Sequence, residues 1–110
     1  MTDRLNQTAF VTGAAQGIGS AVAEAMLESE RNVVLVDRDR DGVLATAERL
    51  DPGGERTHSV VADLRDVEAT IAAFEEAVGI WDGIDILVNN AAILGNTELW
   101  ELTIEEWYDL

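Results

Sequence analysis

The chain has 110 residues, 47% of them hydrophobic, and a mean hydropathy of +0.02, the composition of one folded domain or part of one and not of a disordered segment. Seven arginines, no lysine and 22 acidic residues give a net charge of −15, and neither half carries the basic footprint that nucleic acid or an anionic membrane surface demands. The absence of cysteine excludes disulfides, thiolate metal sites and a thiol nucleophile, and one histidine, His58, is too few for a zinc cage, so no metal site is expected.

Met1 to Asn6 has no apolar signal core, and no apolar run approaches the roughly 20 residues that span a bilayer, so a soluble, cytoplasmic protein is expected. Thr8–Thr12 is short, rich in β-formers and ends at a glycine, which predicts a strand. From Ile18 to Leu27 the apolar residues Ile18, Val22, Ala25 and Met26 recur at three- and four-residue steps, which predicts an amphipathic helix. Val33–Val36 is a continuous apolar run, the mark of a strand covered on both faces. Val43, Ala47 and Leu50 carry the next helical spacing, which breaks at Asp51-Pro52-Gly53-Gly54. Thr57–Val61 reads as a weaker strand, with His58 at its surface or edge. Val67, Ile71, Phe74 and Val78 predict a third helix, Trp81-Asp82-Gly83 a break, and Ile84–Val88 a strong fourth strand. Thr103-Ile104-Glu105-Glu106 is a capping box that opens a helix containing Trp107 and Tyr108, with only Asp109 and Leu110 beyond them. That is an odd place for a domain to end. The order β-α-β-α-β-α-β predicts an α/β fold, a parallel sheet with helical crossovers, in one domain over residues 1–110.

The sharpest feature is Thr12-Gly13-Ala14-Ala15-Gln16-Gly17-Ile18-Gly19, set between the first strand and the first helix. Gly13 lets the chain turn off the strand, Gly17 removes the side chain where a diphosphate would meet the backbone, and Gly19 permits close packing of the helix. The helix N-terminus then offers N–H groups and a positive dipole end to phosphates. Glycine turns also join strands to helices where no ligand binds; the strand–loop–helix context is what favours a dinucleotide here. Asp37 follows the second strand directly, eighteen residues beyond Gly19. A carboxylate there can accept both hydroxyls of an adenosine ribose and repels a 2′-phosphate. Its plain alternative is a solvated acid in the charge run Asp37-Arg38-Asp39-Arg40-Asp41. Arg38 pulls toward a 2′-phosphate, but Asp37 precedes it and the loop carries Gln16 rather than a basic residue. NAD is therefore expected over NADP.

These strings, with Asp63 in Val61-Ala62-Asp63-Leu64 and with Asp85-Ile86-Leu87-Val88-Asn89-Asn90-Ala91-Ala92, resemble the N-terminal half of a short-chain dehydrogenase/reductase from about Thr8 to Leu110. The resemblance implies a Rossmann-type doubly wound parallel sheet, here partial, with strand order 3-2-1-4. It implies a cofactor across the carboxyl ends of the strands, at the switch point between the first and the fourth. It makes the loop residues Gly13, Gln16, Gly17, Ile18 and Gly19 candidates for cofactor contact, with Asp37 and Arg38 at the ribose. Asp63 would contact the adenine edge and Leu64 line its pocket; Asn90 and Ala91 would pack by the nicotinamide-side ribose, and Asn89 would tie adjacent strands together. A simple turn after a strand is the alternative for the Asn pair. Ala92 stands where the family usually has Gly, a departure expected to perturb the loop mildly.

The family's reaction, hydride transfer between NAD(H) and a secondary alcohol or ketone, uses a Ser, a Tyr and a Lys, with the Tyr four residues before the Lys. None of them is matched here: there is no Lys, Ser20, Ser29 and Ser59 fall elsewhere, and the single Tyr, Tyr108, is misplaced. A phenol with a pKa near 10 needs a neighbouring cation to act near neutrality. No catalytic residue is expected within these 110 residues, which are read as the N-terminal, cofactor-binding part of a longer enzyme domain whose parent is a homo-oligomer acting on a small-molecule alcohol or ketone. The alternatives are a non-catalytic dinucleotide-binding module and an inactive gene remnant. The acid-rich, lysine-free composition also fits a protein working in molar salt, where carboxylates keep a surface hydrated; a genome-wide bias toward Arg, Asp and Glu explains it equally.

Overall fold

The computed structural model describes residues 6–90 of the chain. Their order is β1 (Thr8–Thr12), α1 (Gly17–Glu28), β2 (Asn32–Asp37), α2 (Arg40–Leu50), β3 (Thr57–Val61), α3 (Val67–Trp81) and β4 (Ile86–Val88). The expected alternation is present, with β4 starting two residues later than its apolar run suggests. The capping box at Thr103, the residues Ala92, Trp107 and Tyr108, and the candidate site residue Ala91 lie outside the described residues.

All pairings are parallel and the order across the sheet is β3-β2-β1-β4, as expected. β1 pairs along its whole length with β2, from Thr8↔Asn32 to Thr12↔Val36, and on its other side with β4, from Ala9↔Ile86 to Val11↔Val88. Parallel neighbours need long crossovers, so helices cover the sheet and its inner strands are apolar on both faces. Alternate residues divide the core in two. Ala9, Val11, Val33 and Leu35 pack with Ala23 of α1 and Val43 of α2. Phe10, Val34 and Val36 pack with Val60 of β3 and with Ala73 and Ala77 of α3. Phe10 and Phe74 stack with ring centroids 4.3 Å apart, which pins α3 over the middle of the sheet.

Two helices turn a different face inward from the one their large apolar residues mark. On α3 the buried residues are Ala73 and Ala77, while Val67 is 71% exposed and Ile71 and Val78 are also exposed. On α1 the buried residues are Gly19, Ser20 and Ala23, and Ile18 is 73% exposed. In both cases the buried positions are the smallest side chains, which allow the backbone to approach the sheet; Met26 and Leu27 of α1 and Phe74 of α3 pack beside them, and the remaining large apolar residues are displaced to the flank. On α2 the expected stripe holds: Val43 is buried, with Ala47 and Leu50 packed against the same cluster. Leu87 is exposed although its register partner Phe10 is fully buried; α3 packs against β2 and β3 and reaches Phe10 through Phe74.

Among the described residues Leu35 is the largest aliphatic side chain that is fully buried, on the face of β2 covered by α1 and α2. Leu35→Ala should therefore lower the free energy of unfolding by roughly 2–5 kcal/mol, from lost apolar contact and a residual cavity. Urea denaturation of the two proteins checks this; a loss below about 1 kcal/mol would show that the site collapses around the smaller residue.

Candidate functional site

In a parallel sheet every strand delivers its carboxyl end to the same edge. The segments following β1, β2, β3 and β4 therefore meet there: Gly13–Gly19, Asp37–Arg38, Asp63–Leu64 and Asn89–Asn90. The loop from Gly13 to Gln16 carries the chain from β1 into α1. Gly17 sits at φ +61°, in the left-handed region, and a Cβ built on it would meet nothing within 4 Å. The constraint is thus backbone conformation, and the space above it is open. Gly19 is limited by contact instead: a Cβ there would overlap the carbonyl of Gly13 and come within 2.8 Å of Asn90 Nδ2. The third glycine therefore lets α1 approach its own loop and the segment after β4.

The helices that follow β2 and β3 are capped by carboxylates. Asp39 accepts from the Gly42 N–H at 3.0 Å, and Asp66 from the Glu68 and Ala69 N–H groups at 3.0 and 3.2 Å. α1 differs. Its N-cap, Gln16, is extended and makes no side-chain cap, and Gln16, Gly17 and Ile18 are all exposed. The first-turn N–H groups of a helix have no intrahelical acceptor, and the dipole makes that end positive. Among the described helices, the start beside the glycine loop is the one left unfilled by a side-chain cap.

Asp37 is half-buried at the end of β2, and each of its oxygens accepts one backbone N–H: Oδ2 from Ala15 and Oδ1 from Asp39, both at 3.0 Å. It is therefore attached to the glycine loop as well as to its own strand. Arg38 is exposed beside it. At the end of β3, Asp63 is gripped by Arg65, whose Nη2 donates to Oδ2 at 2.8 Å and Nε to Oδ1 at 3.1 Å. Leu64 is half-buried against the core cluster on the α3 side. Thr12 joins β1 to the segment after β4: its hydroxyl accepts the Asn90 N–H at 2.8 Å and lies 3.3 Å from both the Val88 carbonyl and Asn89 Oδ1, to either of which it can donate.

The candidate residues Gly13, Gln16, Gly17, Ile18, Gly19, Asp37, Arg38, Asp63, Leu64 and Asn90 thus lie along one edge of the sheet. Sequence reasoning attached no role to Thr12, Arg65 or Thr46 of α2, whose hydroxyl donates to the Ala15 carbonyl at 3.1 Å. Only the spacing of Thr46, four residues after Gly42 on one helix flank, offers a signal for the last. Among the described residues no group of three His, Asp or Glu side chains is arranged to hold a metal ion, and no helix is long and apolar enough to cross a membrane. A cleft between α1 and α2, lined by Glu24, Arg49 and Arg56 among others, shares no residue with the glycine loop.

The hydrogen bonds from the Arg65 side chain, then its backbone N–H, hold the Asp63 carboxyl down at about 2, with the charge of Arg38 adding to the effect. Because the folded value lies below the ordinary 3.8, the stabilisation from this pair is complete above about pH 4 and is lost as the pH falls through 2. A carboxyl-carbon NMR titration should place the Asp63 midpoint near 2, and Arg65→Met should raise it toward 3.8. A midpoint near 3.8 in the unaltered protein would contradict the pairing.

Comparison with known proteins agrees with this geometry. The family model described as short chain dehydrogenase matches residues 7–110. An uncharacterized oxidoreductase of Thermotoga maritima is 34% identical over 101 residues, covering 92% of this chain and 40% of that protein. The 3-oxoacyl-[acyl-carrier-protein] reductase of Vibrio harveyi is 36% identical over 102 residues, covering 93% of this chain and 41% of the reductase. Among solved structures, actinorhodin polyketide ketoreductase with NADPH superposes with a TM-score of 0.81 at 30% identity, over 99% of this chain and 42% of the ketoreductase. The chain thus spans about two fifths of the length of the curated relatives it matches. With the glycine loop, the carboxylate after β2 and the Asn pair after β4 on one edge of a 3-2-1-4 sheet, the chain belongs to the short chain dehydrogenase family.

Proposed function

We propose that residues 1–110 are the N-terminal, NAD-binding part of a longer oxidoreductase domain that moves hydride between NAD(H) and a secondary alcohol or ketone. The observation that carries the cofactor choice is Asp37. Its carboxylate ends β2 beside the glycine loop, and each oxygen uses one acceptor position on a backbone N–H, leaving a further lone pair for a ribose hydroxyl. A 2′-phosphate brought to that point would meet a negative charge. The polyketide ketoreductase that this chain resembles carries NADPH, so the preference for NAD rests on this chain's own Asp37 and Gln16, set against Arg38.

The residues suit a dinucleotide in other respects. The side-chain-free surface at Gly17 is open, and the uncapped start of α1 suits the diphosphate. Asp63, kept as a carboxylate by Arg65, is an acceptor for an exocyclic amine on the adenine edge, and Leu64 gives an apolar wall. Asn90, anchored through its N–H to Thr12, stands on the nicotinamide side, with Ala91 next in the chain. The bound cofactor supplies or accepts the hydride; these residues bind and orient it. The whole protein, on this reading, is a cytoplasmic homo-oligomer that takes a small-molecule alcohol or ketone.

Calorimetry tests the cofactor assignment. NAD should bind more tightly than NADP, and Asp37→Ala should narrow or reverse the gap while costing NAD roughly 1.5–3 kcal/mol, the loss of a charge-assisted hydrogen-bonded contact. Equal affinity for the two cofactors in the unaltered protein would sink the assignment.

Gly17→Val probes the loop. A branched residue is strained at φ +61° and fills the space where a diphosphate would approach, so dinucleotide binding should be abolished. Unchanged affinity in a folded Gly17→Val protein would mean that the glycine loop serves only the chain reversal.

A further inference from the structure

Ala15, at the crown of the glycine loop, is held from two sides. Its N–H donates to Asp37 Oδ2 at 3.0 Å, and its carbonyl accepts from the Thr46 hydroxyl at 3.1 Å. Thr46 is 4% exposed, a buried polar residue in the middle of α2. One turn earlier, Gly42 makes room for the loop, since a Cβ there would come within 2.8 Å of the Ala15 Cβ and overlap the Asp39 carboxylate. One turn later, Arg49 donates through Nη2 to the buried Ser20 hydroxyl in the first turn of α1. Gly42, Thr46 and Arg49 follow the i, i+4, i+7 spacing of a single helix flank. That flank of α2 is applied to the glycine loop and to the helix start it feeds.

The consequence lies in the planarity of the peptide bond. The Ala15 carbonyl and the Gln16 N–H belong to one trans peptide unit and point in opposite directions. With the carbonyl tied to Thr46, the Gln16 N–H is turned away from α2. The N–H of Ala15, in the preceding unit, is fixed separately by Asp37. Two successive peptide planes are thus set before the chain reaches the left-handed Gly17. We propose that Thr46 is a positioning residue for dinucleotide binding: by anchoring the Ala15 carbonyl it presents the Gln16–Ile18 backbone to the diphosphate in a preset orientation. Without the anchor, the loop would have to be ordered by the ligand at a cost in affinity. The inference rests on the reading of the glycine loop as a dinucleotide site and adds to it a residue from outside the loop.

The test compares Thr46→Val, which keeps the shape and removes the donor, with Thr46→Ser, which keeps the donor. NAD affinity by calorimetry should fall about tenfold in Thr46→Val, consistent with a part-buried carbonyl left unpaired, and stay within about twofold of the unaltered protein in Thr46→Ser. The Gln16 amide resonance of the ligand-free protein should move in Thr46→Val and not in Thr46→Ser. If Thr46→Val does not fold, Thr46→Ala against Thr46→Ser carries the same comparison. Unchanged NAD affinity in Thr46→Val, or equal losses in the Val and Ser variants, would overturn the proposal. If the unaltered protein binds neither NAD nor NADP, the functional reading itself fails. The anchor is then judged on the Gln16 resonance alone, and an unmoved resonance in Thr46→Val overturns it independently of any ligand.

Discussion

The structure depends on β1 being paired in parallel on both sides. With β2 along one edge and β4 along the other, its backbone polar groups are taken up by the ladder and its residues are buried throughout. Two features follow from that placement. Both faces of β1 must be apolar and helix-covered, which divides the core into a layer with α1 and α2 and a layer with α3. The loop after β1 must also emerge between the ends of β2 and β4, so the glycine run stands next to Asp37 on one side and Asn90 on the other.

The electrostatics of this edge are more selective than the overall charge suggests. In a chain with a net charge of −15, two arginines stand where the strands end: Arg38 follows β2, and Arg65 closes on Asp63 after β3. The two carboxylates there have different partners. Asp37 is held by backbone N–H groups, which fixes its position in the fold and ties it to the loop. Asp63 is held by a guanidinium, which keeps it ionised far into acid. The first is built as a rigid acceptor and the second as half of an ion pair at the surface.

Polar side chains do much of the joining between elements at the site. Thr12 links β1 to the turn after β4, Asp37 links β2 to the loop after β1, and Thr46 links α2 to the same loop. Each hydroxyl or carboxylate meets a backbone group that the irregular loop leaves without a ladder or helix partner. This is how a loop can be kept both unbranched at its open surface and fixed in conformation. The freedom that glycine brings to Gly17 is confined by neighbours on either side of Ala15.

The succession of elements, the parallel class of the sheet and the location of the glycine run were all legible in the residues, because short β-rich runs alternating with 3.6-residue periodicity leave few other folds. The resemblance of TGAAQGIG and the Asn pair to a known family supplied the strand order. Tertiary structure alone decided which helix face turns inward. Ile18, Val67 and Ile71 mark an apolar stripe, yet α1 and α3 rest on Gly19, Ala23, Ala73 and Ala77, since close approach to a sheet rewards small side chains over large ones. Tertiary structure also decided the partners of Ala15 and Asp63. Thr46 is 31 residues from Ala15, and its spacing from Gly42 on one helix flank does not say which loop that flank meets. The sequence by itself determined the elements and the chemistry available at their ends, because both are set by near neighbours. Packing decided which of those groups meet, because contact between distant residues depends on the helix rotation and sheet order that only the folded chain fixes.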